Sequence, residues 1–356
     1  MIEFSRDPSL AQPGLKSPQT SQKSTSKAYE LQRSGDKFFA ASRFGASKDF
    51  YQKSLDAYRK SGDKPGMAAT LQRWGRSAEL VGEYGQAGAA FQESLNLFEE
   101  LSHLGGIARS KAHLGSLAWA LGEYEKSLKF LDEALSLYKV GEDSAGEAWV
   151  LDLHANLRLS MRDDERAESL HQKAFEVVSA LGVNLENLAW NDYHLGALAF
   201  FRSQISDARE RFSAALKSFV KLRDDLGQVA ALTHLGEIDC EQKDFSGSGK
   251  NLQRAVKLVL PTQCMPLLAD VLTAVARLMK GLGEDRKAVS LLMVALSHPT
   301  CRQQTKDRMV NLTMGLNAHF SEAEAQKGFE WARAVNLADV AAAWASGFGN
   351  ESKKKK

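Results

Sequence analysis

Cysteine is scarce in this 356-residue chain. Cys240, Cys264 and Cys301 are odd in number, far apart and in no C-x-x-C spacing. That pattern speaks against a disulfide framework and a cysteine zinc site, and it points to a reducing compartment. Proline is scarce too: 7 in all, with Pro8, Pro13 and Pro18 gathered near the N-terminus. No run of about 18 apolar residues occurs, so no membrane span is expected. The opening "MIEFSRDPSLAQPG" lacks the basic-then-apolar order of a signal peptide, and the expected location is cytoplasmic. Charge of one sign is missing as well. The 46 basic and 44 acidic residues leave a net charge of +2, and without Lys353 to Lys356 the remaining 42 basic residues give a body at −2. A balanced body lacks the phosphate-neutralising surface that nucleic-acid binding needs. Four terminal lysines supply only a weak, salt-sensitive pull on anionic surfaces.

What is present is helix-forming. Hydrophobic residues make up 44% and charged residues 25% of the chain, the balance of a folded protein, and Ala, Leu, Glu, Lys and Gln are abundant. Residues 1–26 hold the three early prolines, several serines and little apolar periodicity, and are expected to form a disordered arm. From about Lys27 apolar residues recur at intervals of three and four, separated by Gly-containing turns.

These runs repeat. Gly35, Gly75 and Gly115 are 40 residues apart. The count continues to Ala155 and, after one extra residue, to Gly196, Gly236 and Ala276. Twelve residues beyond each stands a small residue: Ser47, Ala87, Ser127, Ala167, Ala208, Ser248 and Ala288. Four further on comes a mostly large one: Tyr51, Phe91, Leu131, His171, Phe212, Leu252 and Leu292. Three beyond that is a small one again, as at Ser54, Ser94, Ala134 and Ala174. A small residue lets two helices approach, and the large one fills the space beside that contact on the same face. One such hairpin cannot bury its own apolar faces; a stack of them does.

The Leu/Trp-Gly, Tyr, Ala, Phe/Leu and Ala positions at these offsets resemble the tetratricopeptide repeat, here with a 40-residue unit instead of the usual 34. The longer unit with "GD-x-x-G" turns is similar to the C-terminal sensor arrays of maltose-regulator-like signalling ATPases and to the arrays of cell-polarity adaptors. The resemblance covers residues 27–299. It implies an all-α fold, a right-handed α-α superhelix of about seven helical hairpins. "FEWARAVNLADVAAAWASGF" resembles the tail that closes bacterial regulator arrays, which implies capping helices over 300–347 and leaves 348–356 as a flexible basic tail. Neither an ATPase module nor a DNA-binding helix-turn-helix is visible.

Catalytic sets are absent from the pattern. His113, His194 and His234 each precede Leu-Gly at one repeat phase, which spreads them along the stack and suits packing. "DFSGSGKN" lacks the first glycine, the Ser/Thr after lysine and the preceding strand of a P-loop. There is no H-E-x-x-H string and no Ser/His/Asp set. No enzyme activity, metal or cofactor is expected.

The remaining candidate is the groove. In arrays of the resembled kind the first helix of each hairpin, helix A, lines the concave face. Positions one and four beyond the repeat glycine, and three and six before it, share a helical face. They include Arg76, Arg109, Trp119, Trp149, Asp152, Asn156, Trp190, Tyr193, Phe200 and Glu237. The aromatics cluster in the middle three repeats, and partly exposed rings among polar groups are what binding hot spots look like. Asn156 matches the phase of the chaperone-tail carboxylate clamp, but Asp152 stands where that clamp needs lysine, so a clamp is disfavoured. The expected function is a non-catalytic adaptor or scaffold that binds a protein or peptide segment with apolar anchors. The alternative is a regulatory sensor array controlling a signalling ATPase or transcription factor in trans. Self-association into a homo-oligomer is left open.

Overall fold

The computed structural model describes residues 22–182, 185–317, 330 and 332–354. All regular structure among them is helical, and no strand occurs there. The chain divides into two compact units, residues 3–187 and 188–356.

The first unit holds four antiparallel hairpins: α1 (Gln22–Ala40) with α2 (Phe44–Ser61), α3 (Lys64–Val81) with α4 (Tyr84–Glu100), α5 (Leu104–Ala120) with α6 (Tyr124–Val140), and α7 (Ser144–Ser160) with α8 (Asp164–Ala180). Helices of 17 residues joined by three-residue turns recur from α5 to α8 and explain the 40-residue period.

The repeat glycine has a steric reason. A Cβ on Gly75 would stand 2.7 Å from the Phe91 ring, and one on Gly115 2.7 Å from Leu131. The large residue of helix B thus lies directly against the bare backbone of helix A. A second glycine, at the start of helix A, does the same for an aromatic at the end of the preceding helix B. The would-be Cβ of Gly106 is 2.4 Å from Phe98, and that of Gly146 is 2.2 Å from Tyr138. The same glycines donate their N–H groups to the N-cap side chains His103 and Asp143, which satisfies a donor that the helix leaves unpaired.

The second unit holds α9 (Leu185–Phe201), α10 (Ile205–Leu222), α11 (Asp225–Glu241), α12 (Phe245–Val259), α13 (Met265–Gly281) and α14 (Asp285–Ser297). α9 begins three residues before the unit boundary. α9 and α10 join through Tyr193 on Phe212 and Trp190 on Phe219, ring centroids 5.6 and 4.8 Å apart. α11 pairs with α12 and α13 with α14. Beyond them lie α15 (Gln303–Asn317) and α16 (Leu337–Lys354). α16 lies against α12 and α13, where the Gln253 amide donates to the Ala345 carbonyl.

α1 starts at Gln22, so its backbone takes in the last five residues assigned to the arm, while residues 1–21 lie outside the described residues. α16 runs to Lys354, through most of the segment assigned to a flexible tail. Much of the expected cap falls at 318–329, outside the described residues.

Candidate functional site

In the first unit the A helices α1, α3, α5 and α7 carry a ladder of polar side chains that bond from one A helix to the next. The Gln72 amide donates to the Gly106 carbonyl and to Ser110 Oγ, at 3.0 and 2.8 Å. Arg73 Nε lies 3.2 Å from Asp36. Arg76 donates to Glu79 at 2.8 Å, and Ser116 of the next A helix donates to the other Glu79 oxygen at 3.2 Å. Arg76 is thus tied down by its own helix. Arg109, half-buried on α5, shares its helix with Ser116 and Trp119.

The aromatics depart from expectation. Trp119, Trp149, Trp190 and Tyr193 are not partly exposed: their relative exposures are 3%, 7%, 5% and 0%. Trp119 and Trp149 belong to the core formed with Leu131, Tyr138 and Leu157. The reason is the repeat geometry. A ring on helix A lies against a neighbouring helix at every step of the stack, and His113 sits between Phe91 (4.7 Å, stacked) and Trp149 (5.1 Å, edge-on). Phe200 is half-buried on α9, its ring 5.7 Å from His234.

The polar end of this aromatic cluster is the informative part. The Trp119 indole donates to Ser160 Oγ at 2.9 Å, and Ser160 in turn donates to the Asn156 carbonyl at 3.1 Å. The Asn156 side chain, on a residue 1% exposed, has no hydrogen-bond partner for either its amide nitrogen or its amide oxygen among the described residues. A buried amide left unmatched costs about 1–3 kcal/mol, and native structures contain few. One turn earlier Asp152 lies 3.1 Å from His171 Nδ1 on α8. Burial lowers the His171 pKa to about 3, so the ring is neutral at pH 7 and its Nδ1–H donates to Asp152.

In the second unit Glu237 on α11 is 1% exposed and sits among basic groups: His234 Nδ1 at 3.2 Å, Arg308 at 3.5 Å and Arg277 at 3.8 Å. Burial alone pushes its carboxyl up. Arg308, His234 and Arg277 outweigh burial and hold it below the usual carboxylate range. Burial likewise lowers the His234 pKa, against the pull of Glu237. The Trp190 indole N–H is buried with no hydrogen-bond partner among the described residues. Of the ten residues expected to share one face, Arg76, Arg109, Trp119, Trp149, Asp152 and Asn156 belong to the first unit, and Trp190, Tyr193, Phe200 and Glu237 to the second. Arg302, Thr305 and Arg308 of the C-terminal segment were not legible as site residues, because no repeat phase marks them.

"DFSGSGKN" forms an ordinary helix start: Asp244 caps α12 by accepting from Gly247 N at 2.9 Å. No helix among the described residues is long and apolar enough to cross a membrane.

A helical hairpin with a bare glycine against a large ring, small residues at the close approach and a 40-residue spacing is the architecture of the tetratricopeptide repeat class. Residues 106–180 match the tetratricopeptide repeat family model. Solved structures share the architecture. A Rap protein complexed with Competence and Sporulation Factor is 12% identical, with 90% of this chain and 99% of that chain covered and a TM-score of 0.59. The Rap conjugation gene regulator of plasmid pLS20, in complex with the Phr* peptide, is 11% identical over 86% of this chain and 82% of that chain, with a TM-score of 0.64. A signal transduction ATPase with a tetratricopeptide repeat sensor from Pyrococcus horikoshii is 16% identical over 86% of this chain and 50% of that chain, with a TM-score of 0.49. At such identities the likeness is one of fold. No curated protein matches the chain in sequence.

Proposed function

We propose that this chain is a non-catalytic adaptor whose A-helix face in the first unit binds an extended peptide or protein segment. The observation that carries this reading is Asn156. Its amide presents one acceptor and two donors, the complement of a peptide group, and no described residue uses them. The surroundings suit a main chain laid across α5 and α7. The Trp119–Ser160 pair holds one side and Asp152 offers a second acceptor one turn away. The buried rings of Trp119 and Trp149 act as the rigid floor of this face rather than as exposed anchors. Arg109, on α5, bears on a flanking acidic group of the partner, while Arg76 on α3 stays paired with Glu79. That one structure of the same fold holds a Phr* peptide agrees with this partner class.

The test is selection of binders from a random dodecapeptide display library on the full chain, followed by titration of the enriched peptides against Asn156→Ala. The expected result is at least a tenfold loss of affinity with an unchanged melting temperature. Equal affinity for wild type and variant overturns the reading.

A second reading makes the chain a regulatory array that acts on a signalling ATPase or transcription factor in trans. Its support is the fold shared with a conjugation gene regulator. It adds one requirement, that peptide binding change the affinity for the regulated protein, and by reciprocity the regulated protein must change the affinity for peptide.

A further inference from the structure

α15 is joined to the second unit through buried carboxylates of two A helices. α13, the last A helix before it, buries a near-continuous apolar series from Leu267 to Met279. Among the described side chains of α15 only Met309 is apolar and buried. α15 also packs against α14, and its described ties to α11 and α13 are charged. Arg302, just ahead of the helix, and Thr305 both donate to Asp270 of α13. Arg308 reaches past α13 to Glu237 of α11, 3.5 Å away. Asp270 and Glu237 are 4% and 1% exposed. Two ionised carboxylates at that depth need cationic partners, since an uncompensated buried charge is strongly destabilising. Glu237 has Arg277 as a second cation, whereas among the described residues Asp270 draws its ion pair from Arg302 alone.

Buried ion pairs give little net stabilisation, because desolvation offsets most of the attraction. A helix whose described ties to its neighbours are such pairs is exchangeable for another segment that brings the same charges to the same places. A helix held by a stripe of leucines is not.

We propose that Asp270 and Glu237 form a receptor for an arginine-bearing segment with the pattern Arg-x-x-Thr-x-x-Arg. In the free protein Arg302, Thr305 and Arg308 of α15 fill it as a built-in pseudo-ligand, and a partner segment with the same spacing takes their place. Occupied by α15, this face of α11 and α13 is closed to partners; vacated, it is open. The proposal shares with the adaptor reading the premise that A helices carry the binding surface, but it concerns a different unit and different chemistry.

The probe is a fluorescein-labelled peptide of residues 299–312 carrying Cys301→Ser, titrated into the full chain. A tethered segment competes at an effective concentration in the millimolar range. The peptide is therefore expected to bind Arg302→Gln/Arg308→Gln at least tenfold more tightly than wild type, and to lose that binding when Asp270→Asn/Glu237→Gln is added. In hydrogen exchange the double arginine variant is expected to lose protection over 303–312 at least tenfold, with α11 and α13 unchanged. Equal affinity for wild type and variant overturns the proposal, as does no binding to a variant whose α11 and α13 remain protected. Should the double variant lose protection in α11 and α13 as well, wild type decides. Saturating peptide must speed exchange of α15 tenfold while a peptide with both arginines replaced by glutamine leaves it unchanged, and any other result overturns the proposal. Asn156→Ala does not affect these readouts, so failure here is separable from failure of the adaptor reading.

Discussion

His171 shows how one side chain sets a property of the fold. It occupies the large-residue position of the fourth repeat, where other repeats place Leu131, Leu252 and Leu292. Its ring is 2% exposed, and burial brings its pKa down to about 3. The folded pKa lies below the unfolded value near 6.5, so the unfolded chain takes up the proton first. Stability from the neutral ring is complete above about pH 6.5 and is lost as pH falls from there toward 3, by up to about 1.4 kcal/mol per pH unit. His171→Leu is expected to abolish this loss. Urea midpoints at pH 7.5 and 4.5 test it: wild type should fall by about 2–3 kcal/mol more than the variant between the two values. An equal fall in both proteins would mean that the imidazole is already charged in the fold. Asn156 is the complementary case, a polar group whose buried amide gives the free protein nothing. Replacing it by alanine removes an unmatched amide from a helix interior, so the melting temperature is expected to hold or rise slightly.

At the scale of the element, the turns repeat more strictly than the helices. A residue with positive φ ends a helix every twenty positions or so, at Gly62, Gly82, Ser102, Gly122, Glu142, Arg162, Gly182, Ser203, Arg223, Lys243, Gln263 and Gly283. Glycine adopts that conformation freely, while the other residues pay about 1 kcal/mol for it. Lys243→Gly is expected to raise unfolding free energy by roughly 0.5–1 kcal/mol in chemical denaturation. Helix glycines divide by what faces them. Gly146→Ala drives a methyl into the Tyr138 ring, 2.2 Å away, and is expected to cost about 1–3 kcal/mol. Gly85 in α4 faces open space, so Gly85→Ala is expected to stabilise by about 0.5–1 kcal/mol. Opposite shifts of the two urea midpoints check the distinction. The repeat glycines and the small and large partners were legible in the sequence because they recur at one phase. The second glycine, with its aromatic at Tyr58, Phe98, Tyr138 and Phe219, was hidden in what read as simple turns: Asp-x-x-Gly signals a cap, but only the packed structure shows the ring that the glycine admits.

At the scale of the whole molecule, the hairpin architecture could be read from the chain because periodic neighbours make local, repeated contacts. The candidate site was legible only in outline. Face periodicity placed Trp119, Trp149 and Asn156 on the A helices, yet it could not tell a ring packed in the core from one at the surface. Burial of a groove-phase side chain depends on how closely the next helix approaches, which is a tertiary quantity. The charge cluster of the second unit escaped for a related reason: Arg308 and Glu237 are 71 positions apart, and no period links them. The short reach of the contacts within and between neighbouring hairpins has a kinetic consequence. Ser127 Oγ bonds the Gly115 carbonyl twelve residues back, Ser248 bonds that of Gly236 at the same separation, and Gln72 meets Ser110 only 38 positions ahead. Chains whose contacts are this local fold fast and need little search. A hairpin of this protein has nearly all its partners once about forty residues have left the ribosome, so each repeat can fold onto the one before it during synthesis. The charged tie of α15 forms after α11 and α13, the surface it closes, have been built.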